Sequence, residues 1–347
     1  MLISLWMRIL HPQASHWGWR SSGGPTDAVR MWTSLNESVR FRKAPTPFMM
    51  GSPQQRGVSR YAVGTKGRYI QIFRGVWIDV EDETEIPAPL WADEDWLVTL
   101  VRLRGLRLLH PGVAGSHATA AQLYGLPMPH RLRDKAIHVS SGSRGLKIER
   151  PGVILHRSMF HEADDIPLLE LPLVSIPLLV VQLAPSLSTE ELVQLGDAAI
   201  GRQAGGPYIG IEELSTRILE RPRVTERRRI ERALSLMRPT VESPRETWLR
   251  LWLIGEGFPE PAVHPPLRST IGDCLLHPDL GYPDLRIAIE YEGDQHRTSE
   301  ARFAADIRRR ELMEAEGWIV LRVTKRTDMT AFARTLAAHL GRRGASI

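Results

Sequence analysis

The sequence predicts an α/β chain, α+β overall, in which a C-terminal mixed sheet flanked by helices follows a smaller α+β domain. Three observations lead to this prediction. The 347 residues exceed the usual size of one domain, and 42% of them are hydrophobic, which is enough to form cores. The segment 285–292 alternates apolar and polar residues, as half-buried strands do. Patterns typical of a helix, two strands, a helix, a strand and a helix then follow one another between Ser243 and Leu340.

Charge and cysteine content indicate the partner and the compartment. The formal net charge of +5 suits a polyanionic partner such as DNA. The single cysteine, Cys274, excludes a disulfide framework and is typical of a reducing cytosol, so we expect a cytoplasmic protein. The longest apolar run, 168–184, is interrupted by Glu170, Pro172 and Pro177 and is too short to cross a bilayer. It is therefore expected to form core.

We expect two regions before the first helix. Residues 1–48 contain four tryptophans without a period of 2 or 3.6, which indicates either a disordered tail or an upstream extension of a reading frame that starts at Met49 or Met50. Residues 49–95 form a wing-like β segment. In it, the run 67–80 predicts two short strands joined at Arg74 and Gly75, and the acidic linker 81–85 follows.

Residues 96–235 are expected to form the smaller α+β domain with a basic linker. Its predicted elements are helices at 96–109, 116–123 and 188–200 and strands at 136–140 and 153–156. We interpret Ser116 and His117 as helix-capping and packing residues rather than a nucleophile and base, because no third orienting group is present. The arginine-rich run 221–232 indicates a solvated helix face, or alternatively a flank that contacts phosphates.

Several of these segments together resemble the AbiEi-type antitoxin and transcriptional-regulator family. The segments are Phe73–Trp77, Ser116–Pro127 and Val153–Ala184. In that family a winged helix-turn-helix precedes such a region, and this sequence has no clear pair of helices before Gly67. The resemblance implies a DNA-binding regulator.

The C-terminal region, 236–347, is organised around a predicted β-hairpin. A two-residue turn at Pro283 and Asp284 would place Asp279 opposite Ala288. One face of the hairpin would then gather His277, Asp279, Glu290 and Glu292. The alternation selects Asp279 over Asp284, because Asp284 falls in the turn.

The acidic face of this hairpin is a candidate metal site. Carboxylates at positions i and i+2 of a strand lie roughly 7 Å apart and repel each other by about 2 kcal/mol at an effective dielectric near 20. A divalent cation would reverse that sign, and hard oxygen ligands favour Mg²⁺ or Mn²⁺. The other interpretation is a solvated acidic face on an edge strand. His296, just after the strand, could handle a proton near neutral pH.

The order of Asp279, a hairpin, the run Glu290–Gly293 and His296 resembles the PD-(D/E)XK nuclease superfamily. It is most similar to the bacterial domain family related to very-short-patch-repair endonucleases, over about 243–340. The resemblance implies a restriction-endonuclease-like sheet that binds a divalent metal through Asp279, Glu290 and Glu292. Glu292 replaces the lysine of the superfamily pattern; in the patch-repair relatives this position is also acidic, and a histidine contributes.

The same resemblance implies roles for the flanking residues. His296 would take or relay the proton, and Gln295 would orient the water. Glu246 is the expected capping-box partner of Ser243 and, alternatively, an acidic group near the metal. Arginines of the last helices would hold the DNA backbone, namely Arg297, Arg302, Arg309 and Arg310.

We therefore expect a divalent-metal-dependent endonuclease that hydrolyses DNA. The competing expectation is a non-catalytic DNA-binding regulator whose last domain is a degenerate nuclease. The presence of all three acidic positions and of His296 favours the enzyme.

Overall fold

The structure, a computed structural model, describes residues 39–50, 68–158, 165–168, 171–203, 206–293 and 300–344. The chain divides into two compact units: residues 1–187 with 204–231, and residues 188–203 with 232–347. The helix at 189–200 therefore belongs to the second unit, although the sequence placed it in the middle domain. Among the described helices, none is long and apolar enough to cross a membrane.

The described part of the first unit contains ten short strands and three of its helices up to residue 183. Its elements in chain order are β1 (Val39–Lys43), β2 (Phe48–Met49), β3 (Tyr69–Phe73), β4 (Val76–Asp79), β5 (Glu85–Pro89), α1 (Glu94–Leu109), β6 (Ala114–Gly115), α2 (His117–Leu123), β7 (Ile137–Ser141), β8 (Val153–Arg157), β9 (Asp165–Leu168), β10 (Leu171–Val174) and α3 (Ile176–Leu183).

The sheets of the first unit are small. β2, β4 and β3 form a three-stranded sheet, and β1 pairs with β5. The largest sheet has the order β8-β7-β6-β10-β9. Gly75 takes a φ of +89° in the turn between β3 and β4, so the predicted joint at Arg74 and Gly75 is confirmed. The apolar run that ends at residue 184 forms β10 and the buried helix α3, so its prediction as core is confirmed.

The second unit is built around a four-stranded mixed sheet. The elements from 189 onward are α4 (Thr189–Ile200), α5 (Ile211–Leu219, in the first unit), α6 (Arg227–Leu236), α7 (Pro244–Gly255), β11 (Ala262–Val263), β12 (Leu267–Ser269), β13 (Cys274–Leu276), β14 (Leu280–Tyr282), β15 (Ile287–Glu292), α8 (Glu300–Ala315), β16 (Ile319–Thr324) and α9 (Met329–Arg342). The sheet has the order β11-β14-β15-β16, with β15 and β16 parallel and the other pairs antiparallel.

Helices cover both faces of this sheet. Ile287 and Ile289 pack with Leu253 of α7 and Leu336 of α9 in one core. Ala288, on the opposite face, packs with Met313 of α8 in a second, smaller core. This two-sided burial confirms the predicted α/β architecture, and it leaves the C-terminal end of β15 to carry the acidic residues.

The alternation of β15 correctly predicts the two faces, but the predicted hairpin register is wrong by two residues. Leu280 lies opposite Ile289, not Ile287. The connection is longer than a two-residue turn because residues 283–285 form a 3₁₀ turn and Arg286 takes a left-handed φ of 45°. A slip of two residues keeps each side chain on its predicted face, because the period of a strand is two. Continuing the observed register places Asp279 beside Glu290.

The basic run also differs from its prediction. The helix begins at Arg227, not near residue 221, because Arg223 and Glu226 adopt left-handed φ values of 60° and 59°. Arg229 then donates to the carbonyl oxygens of Ala184 and Leu187, so this arginine has a structural role.

Gly281 provides a test of the packing at β14. A Cβ atom at this position would lie 2.9 Å from the backbone oxygen of Ile287 and 3.2 Å from Pro265. Gly281→Ala should therefore lower the free energy of unfolding by about 1–3 kcal/mol in urea denaturation. Gly341→Ala is the control, because nothing lies within 4 Å of its Cβ position in α9. We expect that change to be stabilising by about 0.5–1 kcal/mol. Equal effects of the two substitutions would contradict the packing.

Candidate metal centre

Asp279 immediately precedes β14 and is fixed by two backbone hydrogen bonds. Its carboxylate accepts the N–H of Tyr291 on β15 at 2.8 Å. Its carbonyl oxygen accepts the N–H of His264, which follows β11, at 3.1 Å. Asp279 therefore joins three strands of the mixed sheet, and its half-buried side chain has a defined position.

The electrostatic surroundings of Asp279 identify its neighbours. Burial raises the pKa of this carboxyl to about 6, and the carboxylates of Glu246 and Glu290 contribute to the increase. The hydrogen bond from Tyr291 and the charge of His264 act in the opposite direction. Glu246, Glu290 and His264 therefore lie close enough to Asp279 to affect its protonation.

Glu290 occupies the centre of the acidic face. Its Oε1 atom is buried and accepts no hydrogen bond among the described residues. Arg309 of α8 forms an ion pair with that oxygen, to which its Nη2 atom lies 3.1 Å away. The same guanidinium group donates to the carbonyl oxygen of His277. Arg309 is therefore directed into the site and partly neutralises it.

Glu292 is arranged differently. Its carboxylate forms an ion pair with Arg322 of β16, and both side chains are at least a third exposed. The third acidic residue of this face is therefore paired with the guanidinium group of Arg322.

Glu246 and His264 form a second pair at the site. Glu246 is 7% exposed, and its carboxylate accepts from the N–H of Glu242 at 2.9 Å and lies 3.0 Å from Nε2 of His264. Ser243 caps α7 through the N–H of Glu246, but the Glu246 side chain bonds to Glu242 in place of the reciprocal capping-box bond to Ser243. Its position near Asp279 supports the metal-proximal interpretation of Glu246 alongside the capping one.

Sequence reasoning did not identify His264. The residue lies in the loop run Val263-His264-Pro265-Pro266, without a strand or helix pattern. It reaches the site because β11 pairs with β14, a contact between distant parts of the sequence. The proximity of the two prolines gives no signal for that pairing.

Several predicted site residues cannot be placed in this geometry. Gln295, His296 and Arg297 lie outside the described residues, as does the side chain of Arg302. Arg310 forms an ion pair with Glu314 of the same helix at 2.7 Å. Asp284 lies exposed in the turn, as the sequence predicts.

The oxygen donors fit a magnesium-type ion through two carboxylates. Within the described ranges, no group of three or more His, Cys, Asp or Glu side chains is arranged to hold a metal. Mg²⁺ usually takes one or two carboxylates and keeps several waters, so a full protein cage is not required. Asp279 supplies one carboxylate, and Glu290, beside it in the sheet, supplies the second, although Arg309 also pairs with it. Glu292 is paired with Arg322 and is more exposed, with 36% of its side chain accessible against 18% for Glu290.

Comparisons with known proteins assign no function to this chain. No protein-family model matches it. Two curated relatives from Mycobacterium tuberculosis, both named as uncharacterized proteins (MT2308 and Rv2248), are 29% identical over 104 residues. The match covers 29% of this chain and 38% of each relative, so this chain spans less than half of their length. The crystal structure of the Rv2827c protein from M. tuberculosis is 18% identical, with a TM-score of 0.38 over 61% of this chain and 79% of that one.

The pair of Glu246 and His264 predicts a pH dependence of stability. The hydrogen bond with Glu246 raises the pKa of His264 above its usual 6.5. The protonated ring therefore stabilises the folded state below pH 6.5, and this contribution is lost as the pH rises through the raised pKa. In His264→Gln the folding stability should no longer fall with rising pH through this contribution. The measurement is the change in urea midpoint between pH 6 and pH 8.5. His130→Gln, at an exposed position, should leave the change as in the wild type. An unaltered pH dependence in His264→Gln would contradict the pairing.

Proposed function

We propose that this protein is a divalent-metal-dependent endonuclease that hydrolyses DNA phosphodiester bonds in the cytoplasm. The observation that carries the proposal is the juxtaposition of Asp279 and Glu290. The N–H of Tyr291 on β15 fixes the first, and the second lies beside it in the sheet with a partly buried carboxylate that pairs with Arg309. Two neighbouring carboxylates with one cation between them leave negative charge that a divalent ion would offset.

Each residue then has a role in the proposed reaction. Asp279 and Glu290 would hold Mg²⁺ or Mn²⁺, which when bound would lower the pKa of a water and stabilise charge on the phosphate. Glu246 orients His264, and this ring holds a proton beside the carboxylates. His296 and Gln295 would move the proton and orient the attacking water. Glu292 would act from outside the ligand set.

Arginines would supply the DNA contacts. Arg309 neutralises part of the acidic charge at Glu290, which would otherwise repel a phosphate. Arg297, Arg302 and Arg310 would contact the backbone, and such contacts weaken as salt concentration increases.

The proposal is tested by incubating supercoiled plasmid with the purified full chain and Mg²⁺. We expect conversion to the open circular form, which EDTA should abolish and added Mg²⁺ or Mn²⁺ should restore. Cleavage that persists in EDTA, or that is absent on duplex and single-stranded DNA alike with either metal, would overturn the proposal.

A second candidate function is a non-catalytic DNA-binding regulator. Two observations favour it. Arg309 and Arg322 pair with two of the three acidic residues of the β15 face. In the first unit, an open groove of about 620 Å³ beside the turn of β3 and β4 is lined by basic groups that include Arg74, Lys147 and Arg150.

A gel shift without cleavage would support the regulator. In that case Arg74→Ala with Lys147→Ala should weaken DNA binding and reduce its salt dependence, because each phosphate contact releases counterions. Arg268→Ala with Arg326→Ala removes the same charge from exposed positions of the second unit and is the matched control. Equal weakening by both pairs would argue against a specific groove.

A further inference from the structure

A cluster of three histidines lies in the first unit, on one face of its five-stranded sheet. We call His117, His138 and His156 the histidine cluster. β7 and β8 run in parallel, with Ser140 opposite His156, so His138 and His156 point from the same face of neighbouring strands. His117 is the first residue of α2, which packs against β7. The function proposed above makes no use of these residues.

Two ring nitrogens of the cluster approach each other closely. Nδ1 of His138 lies 3.0 Å from Nε2 of His156. The ring of His117 lies flat on the ring of His156, with 3.5 Å between centroids and 17° between planes. Nδ1 of His117 is 3.1 Å from Oγ of Ser116. The Ser116 side chain makes no helix-capping hydrogen bond, so the predicted capping role of Ser116 is wrong. The stacked ring limits rotation of His156.

Asp134 determines the tautomer of His138. Both of its carboxylate oxygens lie 3.1–3.2 Å from Nε2 of His138. A carboxylate only accepts hydrogen bonds, so Nε2 carries the hydrogen and Nδ1 of the neutral ring carries the lone pair. This lone pair accepts the hydrogen of Nε2 of His156, and an ion bound by both nitrogens would take the place of that hydrogen. A carboxylate behind a histidine is also the usual outer-shell arrangement for a metal-bound imidazole.

We propose that Nδ1 of His138 and Nε2 of His156 bind one late first-row divalent ion, with water completing its coordination. Two nitrogens about 2.0 Å from an ion at a right angle lie about 2.8 Å apart, close to the observed 3.0 Å. Right angles between nitrogen ligands are typical of the tetragonal sites of Cu²⁺ and Ni²⁺. His117 is a positioning residue, and Asp134 holds the ring of His138.

The surroundings are compatible with this binding. Burial and the neighbouring rings lower the pKa of His117 to about 3 and of His156 to about 4. The side chain of His138 is 14% exposed and that of Asp134 is 50% exposed, so water and ions reach the edge of the cluster.

Copper binding to the tag-free full chain tests the proposal. Cu²⁺ is added in steps and followed by electron paramagnetic resonance, in which directly bound imidazole nitrogens split the signal and carboxylate oxygens do not. We expect one Cu²⁺ per chain with splitting from two nitrogens. His138→Gln and His156→Gln should each remove this species, while His130→Gln, at an exposed histidine, should retain it.

Asp134→Asn keeps the proposal testable if a histidine variant does not fold. The side chain of Asp134 is 50% exposed, so we expect this variant to fold. Loss of the carboxylate should weaken copper binding by about 10–100-fold. His117→Phe preserves a flat ring on His156 and should retain the two-nitrogen signal, whereas His117→Ala should broaden it. A signal that survives in His156→Gln, or the absence of any two-nitrogen species in the wild type, would overturn the proposal.

Discussion

Glu290→Gln should lower the rate of Mg²⁺-dependent plasmid nicking by about 10²–10³-fold, the range observed when one preorganised electrostatic group is removed from an active site. The substitution keeps the shape of the side chain and removes the charge. The ion pair with Arg309 is lost, but the amide oxygen of Gln can still accept from that guanidinium group, so we expect the fold to be retained. The measurement is the initial rate of open-circle formation at saturating Mg²⁺.

Two further variants separate the role of Glu290 from a general loss of acidic charge. Glu314→Gln makes the same chemical change on α8, where the side chain pairs with Arg310, and should leave the rate unchanged. Glu292→Gln should have a smaller effect than Glu290→Gln, because the Glu292 side chain is more exposed and Glu290 lies beside Asp279. A rate that falls equally in all three variants would argue against a ligand role for Glu290.

Arg250→Met should lower the free energy of unfolding by about 3–5 kcal/mol, because it leaves a buried carboxylate without its cation. Arg250 and Asp197 are fully buried and 3.3 Å apart. Arg250 also donates to Glu260 at 3.0 Å and to the carbonyl of Leu236 at 2.7 Å. Urea denaturation monitored by tryptophan fluorescence gives the free energy.

The double variant Asp197→Leu with Arg250→Met shows whether the loss comes from the unpaired charge. Removing both charges should restore most of the stability, as apolar replacements of buried ion pairs do elsewhere. The exposed pair of Arg268 and Asp273, 3.8 Å apart, is the control, and Arg268→Met should have no measurable effect. If the double variant were as unstable as Arg250→Met, the loss would instead reflect packing.

The sequence was sufficient to predict the last three elements of the second unit. The helix, strand and helix that end the predicted order of elements before Leu340 correspond to α8, β16 and α9. Each has a clear hydrophobic period and a terminating glycine or capping residue. The two faces of β15 were also predicted, since they depend only on a period of two.

Conformations that depend on a single backbone angle were not predictable in the same way. Arg286 adopts a left-handed φ of 45°, which side chains other than glycine, asparagine and aspartate rarely adopt, so no residue signalled the longer hairpin loop. The left-handed φ values of Arg223 and Glu226 likewise place the start of α6 later than predicted. Their charged side chains fit a helix as well as a turn.

Interactions between distant segments account for what was missed at the site. His264 and Arg309 reach Glu246 and Glu290 only through the pairing of β11 with β14 and the packing of α8 on the sheet. The burial of Arg250 was also not indicated, because arginine is usually exposed unless a partner is buried with it. Such partners are specified by tertiary structure.

Metal binding at the acidic face is the most direct test of the proposed site. Mn²⁺, which favours oxygen ligands, is titrated calorimetrically into the His156→Gln chain, so that the histidine cluster does not contribute. We predict one bound ion per chain, and its loss in Asp279→Asn with Glu290→Gln. The control is Asp284→Asn with Glu314→Gln, which changes two exposed acids in the same way and should retain binding. Unchanged Mn²⁺ binding in the Asp279 and Glu290 variant would contradict a metal site between these carboxylates.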